Sequence, residues 1–385
     1  MPSIIVVGYR DDLDRAVRSR GLDPYYIVQA PMNPPPGRRF TRVSDMENAQ
    51  ELLRAVLSAR ISDVAGVLSV HEMGVFGAAY LRQQLNLPGN TDSRTALYFR
   101  DKYLQKSALP DDVRRARCRY VPQGTSFAEL VGELGEVFVV KPATGAGSLR
   151  TEIVRTPDEY ARALSELLPN ESDVGVVAES FVDAREVYLD GIWEGGALRW
   201  SSLSSNHISP LSAVKGGVLA AHVLDRRRQP ELFRQADTLA RRVLAGLGAP
   251  DCVFHMETFV EESGLTLGEC AIRLPGALSP DVNQLTFGVD LLDAEISLAL
   301  GERFTQDLDV TAPDRFYGYI LLRRSHALTQ EDFERAFTFD EIDYPSSPDA
   351  PLGPYGRVGQ AVVSDEDELQ LQKTIEDIVR FNELG

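Results

Sequence analysis

Cysteine is scarce in this sequence: Cys118, Cys252 and Cys270 are the three in 385 residues, far apart and without a C-x-x-C pair. An odd, scattered set excludes a disulfide framework and a structural zinc site. Apolar runs are short as well, and none reaches the roughly 18 residues that a helix needs to span a bilayer. The N-terminus, MPSIIVVGYRDDLDRA, lacks the basic start of a signal peptide, and its apolar run stops at Gly8. The expectation is a soluble, cytoplasmic chain with no membrane contact. Positive charge is the third shortage. Forty Lys and Arg stand against 57 Asp and Glu, giving a net charge of -17 and a pI near 4.8. That average field repels polyphosphate backbones, which excludes a general nucleic-acid binder and leaves room only for a local basic pocket.

What the chain does contain is ordinary globular material, 43% hydrophobic and 25% charged, enough for two or three packed units. The β-branched run SIIVV at residues 3–7, the amphipathic DDLDRAVRSRG ending at Gly21, and the strand YYIVQ at 25–29 form a βαβ signature. A Pro-rich loop over 30–39, a helix over 46–59, a strand over 64–70 and a helix over 76–85 complete a small doubly wound α/β unit, bounded at 1–95. One helical stretch is expected over 92–109. Short strands then dominate (RCRYVPQ, EVFVVKPA, LRTEIV, VGVVAESFV, EVYLDGIWEGG), with helices over 126–134 and 157–167, an α+β pattern. A long amphipathic helix over 230–247 precedes CVFHMETFV and LTLGECAIR, joined by EESG as a hairpin with Gly264 in its turn. A helix over 291–300, strands GYILL and GQAVV, a loop over 344–354 and a charged helix from Glu366 close the chain. The remaining boundaries are placed at 96–182, 183–301 and 302–385, the last as a C-terminal α/β segment packed on the core.

Three constellations carry chemistry. In FVVKPATGAGSLRT a strand delivers Lys141 beside a loop with Gly145, Gly147 and Ser148. Glycines there let backbone N–H groups approach an anion, and a lysine beside such a nest suits an α- or β-phosphate. It is not a Walker A loop, and an ordinary hairpin turn is the plainer alternative. In VVAESFVDAREVYLDG, Glu179 ends an apolar strand and Glu186 begins another. Buried strands seldom carry carboxylates without partners; these two either accept from adenine and ribose donors or pair with arginines such as Arg185. In HMETFV…TLGECAIR, Glu257 and Glu269 lie on facing strands about 5 Å apart. Such a pair repels unless a cation sits between, and Mg²⁺ held by carboxylates plus phosphate oxygens fits. Arg273, four residues on and on the same face by period two, would reach a γ-phosphate or a carboxylate. A surface carboxylate ladder with Arg273 as counter-charge is the alternative.

With Lys102 of RDKYLQK upstream, the order of these elements resembles the ATP-grasp superfamily, and VHEMGVFGAAYLRQQLNLPGNT is similar to the segment preceding the ATP site in its L-amino acid ligase branch. The resemblance covers roughly 64–301. It implies an ATP-grasp fold behind an N-terminal α/β domain, with ATP and Mg²⁺ as cofactors. It implies phosphate contacts from Lys102 and Lys141, a flexible phosphate loop over Gly145, Gly147 and Ser148, adenine read by Glu179 and the backbone of Ser180, Phe181 and Val182, and ribose held by Glu186. It further implies Mg²⁺ on Glu257 and Glu269, and Arg273 stabilising an acyl phosphate. Ala271 stands where an asparagine metal ligand is usual, which leaves the number of metal ions open. Lys215 is either a further phosphate contact or a surface lysine. The implied activity is an ADP-forming carboxylate–amine ligase acting on small carboxylates and amines such as amino acids or a short peptide; a homodimer is an open assembly. Substrate candidates are His71, Glu72, His207 and Arg273, with Asn206, His255 and Asn283 as further polar residues, all of them also explicable as satisfied strand-end groups. A dehydrogenase fails because Gly8 opens no G-x-G-x-x-G. Another phosphoryl-transfer or carboxylating enzyme, or a non-catalytic nucleotide binder, remains as an alternative.

Overall fold

The computed structural model describes residues 1–385 except 90, 168–174, 307, 309–312, 326, 346–351 and 385. The first strands are β1 (Ser3–Val7), β2 (Asp23–Gln29), β3 (Arg39–Val43) and β4 (Val64–Ser69). They form a parallel sheet in the order β3-β2-β1-β4. Both faces are covered by helices, including Ala49–Ala59, whose N-cap Asn48 accepts from Glu51 N, and Val75–Leu85. Strand β1 is buried along its whole length, as a central parallel strand requires. The strand order reverses between β1 and β4, so the chain leaves their C-terminal ends at Gly8 and Val70 beside a crevice where α/β sheets bind ligands.

The helix expected over 92–109 is two helices, Ser93–Tyr98 and Lys102–Ala108. Asp92 caps the first by accepting from Arg94 N; Asp101 caps the second by accepting from Tyr103 N and Leu104 N. An aspartate that satisfies the free N–H groups of a new helix start competes with continuation of the old one.

The next sheet contains β5 (Cys118–Tyr120), β6 (Phe138–Pro142), β7 (Glu152–Val154) and β8 (Val176–Ser180), antiparallel in the order β5-β8-β6-β7. Helices Phe127–Leu134, with a Ser126/Glu129 capping box, and Pro157–Leu167 pack on it.

The largest sheet is antiparallel, with β9 (Arg185–Glu194), β10 (Ala197–Asn206), β11 (Ala220–Val223), β12 (Cys252–Glu261), β13 (Gly264–Ala271), β14 (Phe316–Ile320), β15 (Glu341–Asp343) and β16 (Gln360–Asp365). Its order is β13-β12-β9-β10-β11-β14-β16-β15, so strands from the C-terminal segment extend the same sheet. On one face lies helix Pro230–Gly246, whose buried stripe runs from Phe233 through Ala236, Leu239, Ala240 and Val243 to Leu244. The other face carries Ser279–Phe287 and Leu291–Ala299, and helix Glu368–Leu384 packs on β14 and β16. The β12–β13 hairpin forms as expected, but its turn is Glu262–Ser263, and Gly264, at φ +119, is the first paired residue of β13. All three cysteines are free thiols. Among the described residues no helix is long and apolar enough to cross a membrane. Most of the loop expected over 344–354 falls outside the described residues.

Candidate functional site

A cleft of about 440 Å³ opens between the small antiparallel sheet and the largest one. It is lined by Lys102, Lys141, Gly145, Gly147, Ser148, the crossover from Glu179 to Glu186, Asn206, His207, Glu257 and Glu269. Local folding explains the convergence. Strand β6 ends at Lys141–Pro142, and the chain returns in β7 with Val140 opposite Glu152, so the glycine loop is the tip of a hairpin over the cleft. Gly147 holds φ +61, a left-handed conformation that favours glycine. Strand β8 runs out at Glu179–Ser180, and after four intervening residues β9 begins in the other sheet, so Ser180, Phe181 and Val182 line the cleft.

The cations form a closed ionic set. Lys102 Nζ donates to Gly145 O at 2.6 Å and lies 3.0 Å from Glu269 Oε2. Glu179, only 5% exposed, lies between Lys106 Nζ at 2.5 Å and Lys141 Nζ at 2.8 Å. Burial alone would raise Glu179, but the two ammoniums outweigh it and hold the carboxyl below its usual range. Burial lowers Lys106; Lys141 is raised because Glu179 and Glu269 together outweigh its burial. The partners of Glu179 are thus lysines, not the arginine Arg185, which donates to Gln229. Its side-chain oxygens lie against ammoniums, while the residue itself lines the cleft as expected. Sequence reasoning missed Lys106, although it sits four residues beyond Lys102 on the same helix face.

Glu257 and Glu269 are direct cross-strand partners, and Glu186 lies on the neighbouring strand, with Tyr188 of β9 opposite Glu257. The ladder slips just beyond Glu257, at Gly268, where an added Cβ would stand 3.1 Å from Glu257 O. Glu186 Oε1 accepts from Asn206 Nδ2 at 3.4 Å. Its carboxyl is pushed up to about 8 by burial first, then by Glu257 and Glu269. Glu269 goes the other way: burial opposes its charge, but Lys102 and Lys141 hold it at about 2. One member of this trio is therefore neutralised by protein and another carries unrelieved repulsion, the situation a divalent cation resolves. Among the described residues no set of three or more His, Cys, Asp or Glu side chains is placed to hold a metal alone. A metal on Glu257 and Glu269 would have to complete its shell from elsewhere, which is the habit of Mg²⁺ with phosphate oxygens.

Arg273 departs from expectation. Strand β13 ends at Ala271, so the period-two argument stops before it. Its guanidinium turns to Glu72, donating from Nη2 at 3.1 Å and from Nε at 3.3 Å. Glu72 also faces Arg100 at 3.7 Å, and Arg100 pairs with Glu47. His71 stands beside them, pushed down to about 4 by burial and by Arg10 and Arg273. His71, Glu72 and Arg273 therefore do come together, at the C-terminal end of β4 and facing the reversal in strand order. Of the two readings left open for Lys215, its placement favours the surface lysine. It is exposed, pairs with Glu152 at 2.7 Å and is not among the residues lining the cleft.

A buried pair lies behind the carboxylates. Asp190, fully buried, accepts from His255 Nδ1 at 2.7 Å and from Asn283 Nδ2 at 3.1 Å. His255 is the cross-strand partner of Ala271. Burial opposes its charge, yet the bonds to Asp190 and Glu257 raise it to about 9. A raised histidine contributes stability that is present below its ordinary 6.5 and lost as pH rises through about 9. In Asp190→Asn the titration midpoint of His255, followed by its ring-proton NMR shift, is expected to fall toward 6.5 or below, since burial is then weakly opposed. A midpoint still near 9 would contradict this account of the pair.

No protein-family model matches the chain. The three-sheet arrangement around this cleft is the ATP-grasp fold: similar structures include an L-amino acid ligase from Bacillus licheniformis (TM-score 0.76, 16% identity, covering 99% of this chain and 98% of that one) and a carboxyaminoimidazole ribonucleotide synthase from Aspergillus clavatus complexed with ATP (TM-score 0.76, 14% identity, 99% of both chains). By sequence, an L-arginine-specific L-amino acid ligase from Bacillus subtilis is 23% identical over 266 residues. That match takes in 67% of this chain and 62% of the relative, so the chain matches about three fifths of that protein's length.

Proposed function

We propose that this protein is an ATP- and Mg²⁺-dependent, ADP-forming carboxylate–amine ligase acting on amino acids or a short peptide. The observation that carries the reading is the single cleft in which Lys102, Lys141, the glycine loop, Glu257 and Glu269 converge. Lys102 and Lys141, now balanced by Glu269 and Glu179, are shared with the phosphates of ATP when it enters. The loop with Gly145, Gly147 and Ser148 covers those phosphates. The backbone of Ser180, Phe181 and Val182 faces the adenine beside Glu179, and Glu186 accepts from the ribose. Glu257 and Glu269 hold Mg²⁺, which supplies charge neutralisation at the phosphate tail.

The substrate carboxylate attacks the γ-phosphorus, the bond to the bridging oxygen breaks and ADP leaves. The amine then attacks the acyl carbon, loses a proton and expels phosphate. Positioning and charge neutralisation carry this chemistry, and the protein forms no covalent bond. Arg273 and Glu72, paired at the C-terminal end of β4, suit the acid and the amine of the two substrates; His71 lies beside them as a neutral acceptor. The acyl phosphate hydrolyses if water enters, which gives the glycine hairpin a lid's task.

The test is ADP release across pairs of L-amino acids, with mass spectrometry of the products. Release that depends on both partners, with a product lighter by one water than their sum, is expected; ATP binding without any amine-dependent release would sink the ligase reading. The likeness to a carboxyaminoimidazole ribonucleotide synthase favours one second reading, a carboxylating enzyme with the same nucleotide site. Bicarbonate-stimulated ADP release in the absence of amino acids would select it.

A further inference from the structure

Five histidines occur in the chain, and two of them touch. His207, directly after β10, lines the nucleotide cleft. Its Nε2 lies 3.1 Å from Nδ1 of His222 on β11, with the rings 5.1 Å apart and nearly edge to face. His222 in turn points its Nε2 at Glu368 Oε1, 3.5 Å away, the first residue of the C-terminal helix. His222 is 3% exposed and Glu368 2%. A carboxylate this deep is costly unless paired, and the second oxygen of Glu368 and Nε2 of His222 are buried with no hydrogen-bond partner. A row of buried polar groups thus runs from the C-terminal helix toward the cleft, hydrogen-bonded between the two histidines and in looser 3.5 Å approach between His222 and Glu368.

We propose that Glu368 and His222 are positioning residues that fix the proton of His207 on Nε2, so that Nδ1 enters the nucleotide cleft as a hydrogen-bond acceptor for a ribose hydroxyl. The direction follows from the acceptor-only end. A carboxylate oxygen 3.5 Å from Nε2 of His222 repels a lone pair there and so favours the proton on that nitrogen; the Nδ1 lone pair of that ring then takes Nε2–H of His207, and the remaining nitrogen of His207 is left bare. Burial and the neighbouring His222 keep His207 neutral, holding it at about 3. Its Nδ1 has no protein partner among the described residues. The ligand class follows from the neighbour: Asn206, one residue earlier, donates to Glu186 at 3.4 Å, and Glu186, whose carboxyl keeps an acceptor oxygen in either protonation state, lines the same cleft as His207. Two acceptors in one cleft match the two hydroxyls of a ribose. The proposal rests on the nucleotide reading given above.

Two measurements on the full-length protein test it. ¹⁵N spectra of imidazole-labelled protein read the chain without nucleotide: Nδ1 of His207 is expected to give the shift of an unprotonated ring nitrogen in the wild type, and a mixture of tautomers in Glu368→Leu. Calorimetry reads the ligand: His207→Ala is expected to weaken ATP about five- to tenfold, the share of one hydrogen bond, while leaving 2′,3′-dideoxy-ATP unchanged, and His207→Asn is expected to restore most of the loss. A protonated Nδ1 in the wild type, or equal weakening of both nucleotides, overturns the proposal and leaves the nucleotide reading standing. Wild-type protein that binds neither nucleotide removes the nucleotide reading and the ribose half of the proposal together, and the spectra then decide the tautomer half alone. Should Glu368→Leu fail to fold, His222→Phe gives the same tautomer readout, because it removes the lone pair that His207 donates to.

Discussion

Glu269→Gln is expected to lower ADP-forming turnover by about 10²–10³-fold, the scale of losing one preorganised electrostatic contact at developing charge. The substitution keeps the shape of the side chain, so β13 and its pairing to β12 should survive. What it removes is the charge that Lys102 and Lys141 hold at about 2 and that a divalent ion would share with Glu257. The loss should fall on kcat and on the concentration of Mg²⁺ needed for half-maximal rate. ATP affinity measured without metal should hold or rise, because a negative charge beside the phosphates is gone and Lys102 is freed from its 3.0 Å partner. That opposite pair of effects separates a metal ligand from a structural ion pair, whose loss would lower thermal stability and weaken ATP alike. Turnover within threefold of wild type at every Mg²⁺ concentration would remove Glu269 from the metal site.

The parts of this site that were legible in the sequence are those set by short-range rules. The hairpin itself was legible from its turn, which sets Glu261 opposite Gly264, but the turn register alone would put Glu257 opposite Gly268; the slip at Gly268, which brings Glu269 opposite Glu257, was not. Lys141, the glycine loop and Glu186 fell where a strand, a hairpin tip and a strand start place them. Four kinds of feature were not legible. Strand β3 (RFTRV) and strand β10 (ALRWSSLSSN) carry too many charges or serines to show alternation; the first is an exposed edge, and the second is held by pairing on both sides. Helix Ser279–Phe287 has a Pro start and a Gly end but no apolar period, since it is wedged between the sheet and its neighbour and buried on several sides. Arg273 was placed by extending a strand past its end. The partners of Glu179 and Glu72 come from elements up to 73 and 201 residues away, and no local pattern encodes such pairings.

Glu179→Ala is expected to destabilise the fold by about 3–5 kcal/mol, the cost of stripping the partner from a buried ion pair. The reasoning turns on what remains. Lys106 has a side chain 3% exposed and Lys141 one 15% exposed, and Glu179 is the only carboxylate within ion-pair distance of either among the described residues. Without it two ammoniums that now share one carboxylate are left together in a largely buried setting. Urea titration should show the midpoint falling with an unchanged slope, which marks lost stability rather than a changed unfolded state. Acid supplies the sign check: Glu179 is held below the ordinary carboxylate range, so its contribution is complete above the ordinary pKa and disappears as pH falls through the lowered one. Wild type and variant should therefore converge in acid. The double variant Glu179→Met with Lys106→Met should recover part of the loss, since two apolar side chains replace a desolvated pair and leave Lys141 alone to find water through the cleft. If the single variant costs under about 1 kcal/mol, the range of a solvated surface pair, the lysines are screened by water instead of by Glu179. In that event the charge balance that leaves Lys102 and Lys141 ready for phosphate would have to come from solvent, and the cleft would lose the preorganisation on which the proposed acyl activation depends.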